Sequence, residues 1–382
     1  MSHPTDTDML MPRITQLTDS LRRCLFSLAI AAFALLGGAL RAQQTGGAAA
    51  PAKAEQGKVE QQGWKLSVPT ELFDVDKVVD GDTIYVKRNN QVEKLRLLSV
   101  DTEEKLSNNS TDPTKPSTVF GEECAQWAAE FFKGLAHDGA PPKVGLLFPG
   151  GVEERDVYGR LLCYVILPDG RNFNLLLVQL GKSPYFNKYG NSHVCHDAMT
   201  AAQTQARAAQ LGIWNPKTNE PKTPGAPSAK RPYEKLMPWW DARAIAVDAY
   251  RAKVAADPEH TAAVDAPSEL ERVLATSKRG ERITLFGSVD KLFAEKSGDQ
   301  TVLMRSGSKD KALRVMIPAA AWPKFADLDL AHSYEDSKQN YFWVRGTITM
   351  GTRGYEMRCD APEAFSLAGP QPVKPAAAAG SH

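Results

Sequence analysis

From Phe73 to Val100, apolar and polar side chains alternate with a period of two, and turn formers break the alternation twice. The pattern predicts three short strands, Phe73 to Val79, Thr83 to Lys87 and Val92 to Val100, joined at Asp80-Gly81-Asp82 and at Asn89-Asn90. After a polar loop, Lys105 to Pro116, the period lengthens. Phe120, Cys124, Trp127, Ala128, Phe131 and Leu135 recur at helical spacing and mark a core-facing helix. Lys143 to Phe148 and Leu161 to Leu167 return to strand character, the second closed by a Pro168-Asp169-Gly170 turn. Phe173 to Leu180 and Ser192 to Leu211 read as helices, so this part of the chain is expected to hold five strands and about three helices.

Beyond Trp214 the pattern changes. Pro216 to Lys235 is rich in Pro, Lys, Thr and Gly and reads as a linker, followed by helices at Trp239 to Ala255 and Ala266 to Thr276. Strands then dominate: Ile283 to Val289, Thr301 to Met304, Leu313 to Ile317, Tyr341 to Met350 and Tyr355 to Cys359, with a short helical piece around Ala319 to Phe325. That order suggests a small closed barrel of the oligonucleotide-binding (OB) type. The predicted organisation is a signal peptide over 1–42, a flexible linker over 43–63, a first folded unit over 64–215, a linker and helical connector over 216–280, an OB-like β-barrel over 281–368 and a disordered tail over 369–382.

The signal rests on Arg22 and Arg23 before an apolar run of about 16 residues, short for a spanning helix. Export to the periplasm, cell envelope or outside is therefore expected, with an uncleaved anchor as the alternative. Four cysteines, Cys124, Cys163, Cys195 and Cys359, follow the signal at irregular spacing, which permits disulfides without implying them. The 46 basic and 45 acidic residues nearly cancel, so composition excludes a strongly cationic nucleic-acid wrapper. From Glu71 to Trp214 there are 15 basic and 19 acidic residues, an imbalance that suits a cation site better than tight duplex wrapping.

Candidate chemistry gathers at the ends of the first three strands. Asp82 and Asp101 are short carboxylates at strand ends, and Thr102 adds a backbone carbonyl beside Glu103 and Glu104. Such oxygen ligands suit Ca²⁺ or Mg²⁺ rather than Zn²⁺, although the same residues also read as turn formers and a solvated loop. Arg96, between Leu95 and Leu97, needs an anionic partner, and Arg160 follows a turn into a strand from which it can reach the same spot, with Arg155 as its rival. Two arginines facing a cation and a glutamate base would make a phosphoryl-transfer site; two structural salt bridges are the alternative. His193, Cys195 and His196 lie too close in sequence to build a metal site unaided. Tyr185, Phe186 and Tyr189 suit base stacking or packing, as do Trp343, Arg345, Arg353 and Tyr355 in the second barrel.

The ordered motifs VVDGDTI, LRLLSVDTEE, DVYGR and ARAAQLGIW, spanning about Phe73 to Trp214, resemble the staphylococcal nuclease (thermonuclease) family. The resemblance implies a five-stranded OB-fold barrel with three helices for this part of the chain; with the helical connector and the second, OB-like barrel read from the pattern beyond it, the expected fold class is α+β, mainly β. The resemblance also implies a monomeric, Ca²⁺-dependent phosphodiesterase acting on DNA and/or RNA, with Mg²⁺ or another divalent cation as the alternative metal. Carried over to these positions, Asp82, Asp101 and the Thr102 carbonyl hold the metal, Arg96 and Arg160 clamp the phosphate, Glu104 activates water, and Tyr185 and Tyr189 flank the substrate. Glu103 stands where the family normally has proline, which makes it an alternative base. The resemblance says nothing about the second barrel, whose expected partner is nucleic acid or a protein. A non-catalytic binding module on the same fold, membrane-anchored or free, is the rival reading.

Overall fold

The computed structural model describes residues 67–156, 158–304, 312–332, 338–351 and 353–372. The expected signal, the spacer over 43–63 and the tail from 373 lie outside them. No described helix is long and apolar enough to cross a membrane.

Strands β1 (Phe73–Val78), β2 (Thr83–Arg88), β3 (Gln91–Leu97), β4 (Lys143–Leu147) and β6 (Leu161–Ile166) close into a barrel. β1 pairs antiparallel with β2 and β4, β2 with β3, and β4 with β6, and the parallel β3–β6 pair seals the ring. The period-two pattern sends Phe73, Val75, Ile84, Val86, Leu95 and Leu97 into the core. The β2–β3 hairpin turns on Asn89 and Asn90, both at positive φ, 51° and 59°, as a two-residue loop between right-twisted strands demands. A two-residue strand, β5 (Glu154–Arg155), edges β6. It is too short to carry a periodicity and was not expected.

Helix α1 (Val119–Gly134) buries Phe120, Cys124, Ala128 and Phe132 against the barrel, with Trp127 and Phe131 half-buried at its margin. Thr118 caps it, its Oγ1 accepting from the Gly121 amide at 2.9 Å. Helices α2 (Phe173–Gln179) and α3 (His196–Ala208) complete the unit; α3 is shorter at both ends than its hydrophobic pattern suggested. The four described cysteines are free and buried.

Helix α4 (Tyr233–Ala256) begins well before the Trp239 expected from sequence. It is buried on several faces, through Leu236, Trp239, Trp240, Arg243, Val247 and Tyr250 among others. A helix covered this way lies between packed units rather than on a surface. The second sheet follows, with β7 (Thr261–Ala263), helix α5 (Pro267–Lys278), β8 (Ile283–Ala294), β9 (Gln300–Met304), β10 (Leu313–Ile317), β11 (Tyr341–Gly346), β12 (Thr349–Gly351), β13 (Gly354–Arg358) and β14 (Phe365–Leu367). β8 pairs with β9 and β11, β9 with β10, β10 runs parallel to β13, and β13 pairs with β12. With β11 and β12 as one interrupted strand, this repeats the pairing circuit of the first barrel. The interruption divides the single strand expected over Tyr341 to Met350, and the helical piece expected at Ala319 to Phe325 is a 3₁₀ helix at Trp322–Leu328.

Candidate active site

The β1–β2 turn and the end of β3 come together because β2 and β3 are neighbours, which sets Thr83 opposite Arg96. Asp82 is anchored from three sides. The Thr102 amide donates to its Oδ2 at 2.8 Å, the Thr83 hydroxyl donates to its Oδ1 at 3.2 Å, and Arg96 Nη1 lies against Oδ1. A side chain at Gly81 would strike Thr102, its Cβ falling 2.5 Å from Cγ2, so only glycine lets the turn close on this strand end.

Arg96 bridges two carboxylates, with Nη2 donating to Asp101 Oδ1 at 2.6 Å. Asp101 also receives Lys115 Nζ on Oδ1 at 2.7 Å and Arg231 Nη2 on Oδ2 at 2.5 Å, while its own amide donates to Ser183 Oγ at 2.8 Å. Burial pushes the Asp101 carboxyl up, but Lys115, Arg231 and Arg96 together hold it well below the usual range. Asp82 is likewise raised by burial and brought below its ordinary value by Arg96 and Lys115. Asp80 differs: burial, reinforced by the charge of Asp82, pushes it up to about 7. Asp80 is thus the carboxyl of the three at which burial outweighs the neighbouring cations.

The two glutamates separate clearly. Glu103 is 3% exposed, and its carboxylate accepts from the Thr118 hydroxyl at 2.5 Å, Asn219 Nδ2 at 2.8 Å and the Tyr233 hydroxyl at 3.2 Å. Both its oxygens accept hydrogen bonds, and through them it ties the 103–118 segment to residues 219 and 233. Glu104 has a side chain 26% exposed; its Oε1 meets Lys115 Nζ at 2.8 Å and its Oε2 accepts from Asn108 Nδ2, so the two glutamates differ in burial rather than in hydrogen bonding. The backbone carbonyl of Glu104 lies where any Cβ on Gly121 would fall, 2.1 Å away, so α1 docks directly on this residue.

Arg160 is near the basin without entering it. Its Nε donates to Asp156 Oδ2 at 2.6 Å, and its guanidinium sits over the Tyr158 ring at 5.4 Å. In the parallel β3–β6 register Arg96 lies beside Leu162, so Arg160, two residues earlier, faces the same side of the sheet. Arg155 forms a bidentate pair with Glu93 at 2.8 Å and has no share in the basin. Of the two alternatives for Tyr185, stacking and packing, the structure shows packing: it is buried, accepting from the Ser192 amide at 2.8 Å and bonded to His196 Nδ1 at 3.0 Å. Tyr189 is half-buried, and burial pushes its hydroxyl above the ordinary tyrosine range. In the second barrel Trp343 packs on Phe286, with ring centroids 5.2 Å apart, and Arg353 reaches Glu295 at 3.3 Å.

Among the described residues, no group of three or more His, Cys, Asp or Glu side chains converges as a metal site. His193, Cys195 and His196 are included in that statement. The donor chemistry at Asp82, Asp101 and the Thr102 carbonyl nonetheless fits a hard divalent cation, and the basin already takes an ammonium between Asp101 and Glu104. Lys115 and Arg231 escaped sequence reasoning. A lysine in a polar loop and an arginine in a Pro-rich stretch carry no periodicity, although the aromatic run around Tyr233, Trp239 and Trp240 does announce packing next to Arg231.

Comparison with known proteins points to one group. The family described as "Staphylococcal nuclease homologue" matches residues 94–216. Endonuclease YhcR of Bacillus subtilis is 35% identical over 143 residues, 37% of this chain and 11% of the relative. The SPbeta prophage-derived endonuclease YokF of the same organism is 34% identical over 148 residues, 38% of this chain and 45% of the relative. Thermonuclease of Staphylococcus intermedius is 30% identical over 146 residues, 38% of this chain and 76% of the relative. The chain thus spans about a tenth of YhcR and under half of YokF, and in each case the match covers little more than a third of this chain.

Proposed function

Because this chain belongs to the staphylococcal nuclease family, we propose that it is a metal-dependent phosphodiesterase hydrolysing DNA and/or RNA at the basin formed by Asp82, Arg96, Asp101 and Glu104. The observation that carries this reading is Arg96 bridging two buried carboxylates at one rim of a closed barrel. Such a cation, held rigidly in a water-poor site, is preorganised for charge that develops on a phosphate.

Asp82, Asp101 and the Thr102 carbonyl would hold Ca²⁺, or Mg²⁺ in its place. When bound, the ion supplies charge to a phosphoryl oxygen and to the attacking water. Glu104, half-buried where Asp82 and Asp101 are buried, takes the proton of that water. Arg96 neutralises the phosphate from one side, and Arg160, on the same face, turns from Asp156 to do so from the other. Tyr189 is left as the aromatic beside the substrate. We further propose that the protein acts outside the cytoplasm, on the strength of Arg22, Arg23 and the apolar run that follows them, and that it does so as a monomer. The second barrel is assigned a nucleic-acid or protein partner.

Single substitutions test the assignment. Arg96→Ala and Arg160→Ala should each lower kcat on single-stranded DNA by about 10²-fold or more, measured with the full chain. Wild-type turnover in either variant would remove that arginine from the chemistry.

A further inference from the structure

The basin is completed by a part of the chain that lies beyond residue 216, where the family match ends. Arg231 is buried, with only 4% of its side chain exposed. Its fork makes three hydrogen bonds: Nη2 to Asp101 Oδ2 at 2.5 Å, Nη1 to the Asp101 carbonyl at 3.1 Å and Nε to the Thr114 carbonyl at 3.0 Å. The rings of Tyr233 and Trp240, 5.5 and 5.2 Å from the guanidinium carbon, wall it in.

We propose that Arg231 is a positioning residue of the nuclease site, holding Asp101 and the 105–118 loop in their working places from the C-terminal part of the chain. The inference rests on the assignment of Asp101 as a metal carboxylate. Three observations support it. First, Arg231 takes the Asp101 oxygen that Arg96 and Lys115 leave free, so Oδ2 is tied back and Oδ1 is fixed on the Arg96 side. Second, its bond to Thr114 holds the residue preceding Lys115, whose ammonium spans Asp101 and Glu104. Third, Asn219 and Tyr233 from the same stretch hold Glu103, so the residues on both sides of Thr102 are registered together. A structural anchor for the C-terminal part would need only one of these contacts and had no reason to select the residue next to the Thr102 carbonyl. Only a planar fork makes all three bonds at once, so lysine cannot substitute for it.

The test uses the full chain with Arg231→Lys, Arg231→Met and Arg96→Ala. Two quantities are read on protein shown to be folded: the dissociation constant for Ca²⁺ alone, by calorimetry, and kcat and KM on single-stranded DNA. Arg231→Lys keeps the charge and loses the fork; it should bind Ca²⁺ about tenfold more weakly and lose kcat by a similar factor, with KM for DNA little changed. Arg231→Met should lose more of both. A folded Arg231→Lys with wild-type Ca²⁺ affinity and wild-type kcat overturns the inference, and that variant decides alone if Arg231→Met does not fold. Arg96→Ala separates the two readings. If it is inactive while Arg231→Lys behaves as wild type, only the positioning role falls. If it keeps wild-type kcat, the site assignment falls and the inference goes with it.

Discussion

A guanidinium between Leu95 and Leu97, on a strand whose other face is barrel core, must find carboxylates nearby, and that physical demand made Arg96 legible from sequence. Asp82 and Asp101 were legible for the same reason, as short acids at the ends of strands that pair. Glu103 was not. In sequence it is a second acid beside Glu104, and only the arrival of Thr118, Asn219 and Tyr233 from distant positions shows that it is buried and hydrogen-bonded through both oxygens. The two glutamates therefore make a paired test. Glu104→Gln should lower kcat by about 10²-fold or more and leave the denaturation midpoint nearly unchanged. Glu103→Gln should leave kcat within a small factor of wild type and cost about 1–2 kcal/mol of stability, read from urea unfolding. The reverse pattern would exchange their roles.

At the scale of elements, what the sequence disclosed depended on length. The helix stripe of α1 and the alternation of β1 to β3 each extend over enough residues to show a period, whereas β5 and β7, with two and three residues, show none. β7 is fixed instead by its parallel pairing with β8 and by a charged clasp at its start. His260 bonds Asp257 through Nδ1 at 2.8 Å and Glu281 through Nε2 at 2.9 Å. The Glu281 hydrogen bond, followed by that to Asp257, raises the His260 pKa above its ordinary value. A histidine raised in the folded state contributes stability that is complete below its unfolded pKa, about 6.5, and is lost as pH rises through the folded value. The loss of stability on going from pH 6 to pH 8 should therefore shrink in His260→Gln, and an NMR titration should place the folded pKa above that of a free histidine. An unshifted titration would show that the clasp does not hold in solution.

For the whole molecule, two barrels with one pairing circuit and a helix between them were legible in outline, and the region from 216 to 280, expected as a linker and helical connector, packs on both units. Asn187 and Asn191 of the first unit bond Asp241 and Asp248 of α4 at 2.9 and 2.6 Å, and Arg243 of the same helix reaches Asn340 of the second at 2.5 Å with its guanidinium 4.0 Å from the Tyr341 ring centre. Arg243→Ala should cost about 3 kcal/mol and split into two steps the unfolding transition expected to be single in the wild type by calorimetry; two steps already in the wild type would mean that α4 does not couple the units. The central claim is metal-dependent hydrolysis at the Asp82–Asp101 basin, and the most direct measurement is the turnover of the full chain on single-stranded DNA with Ca²⁺, after chelation, and after Ca²⁺ is restored. Turnover is expected in the first, none above background in the second and recovery in the third; activity that persists unchanged in excess chelator would rule out metal-dependent hydrolysis.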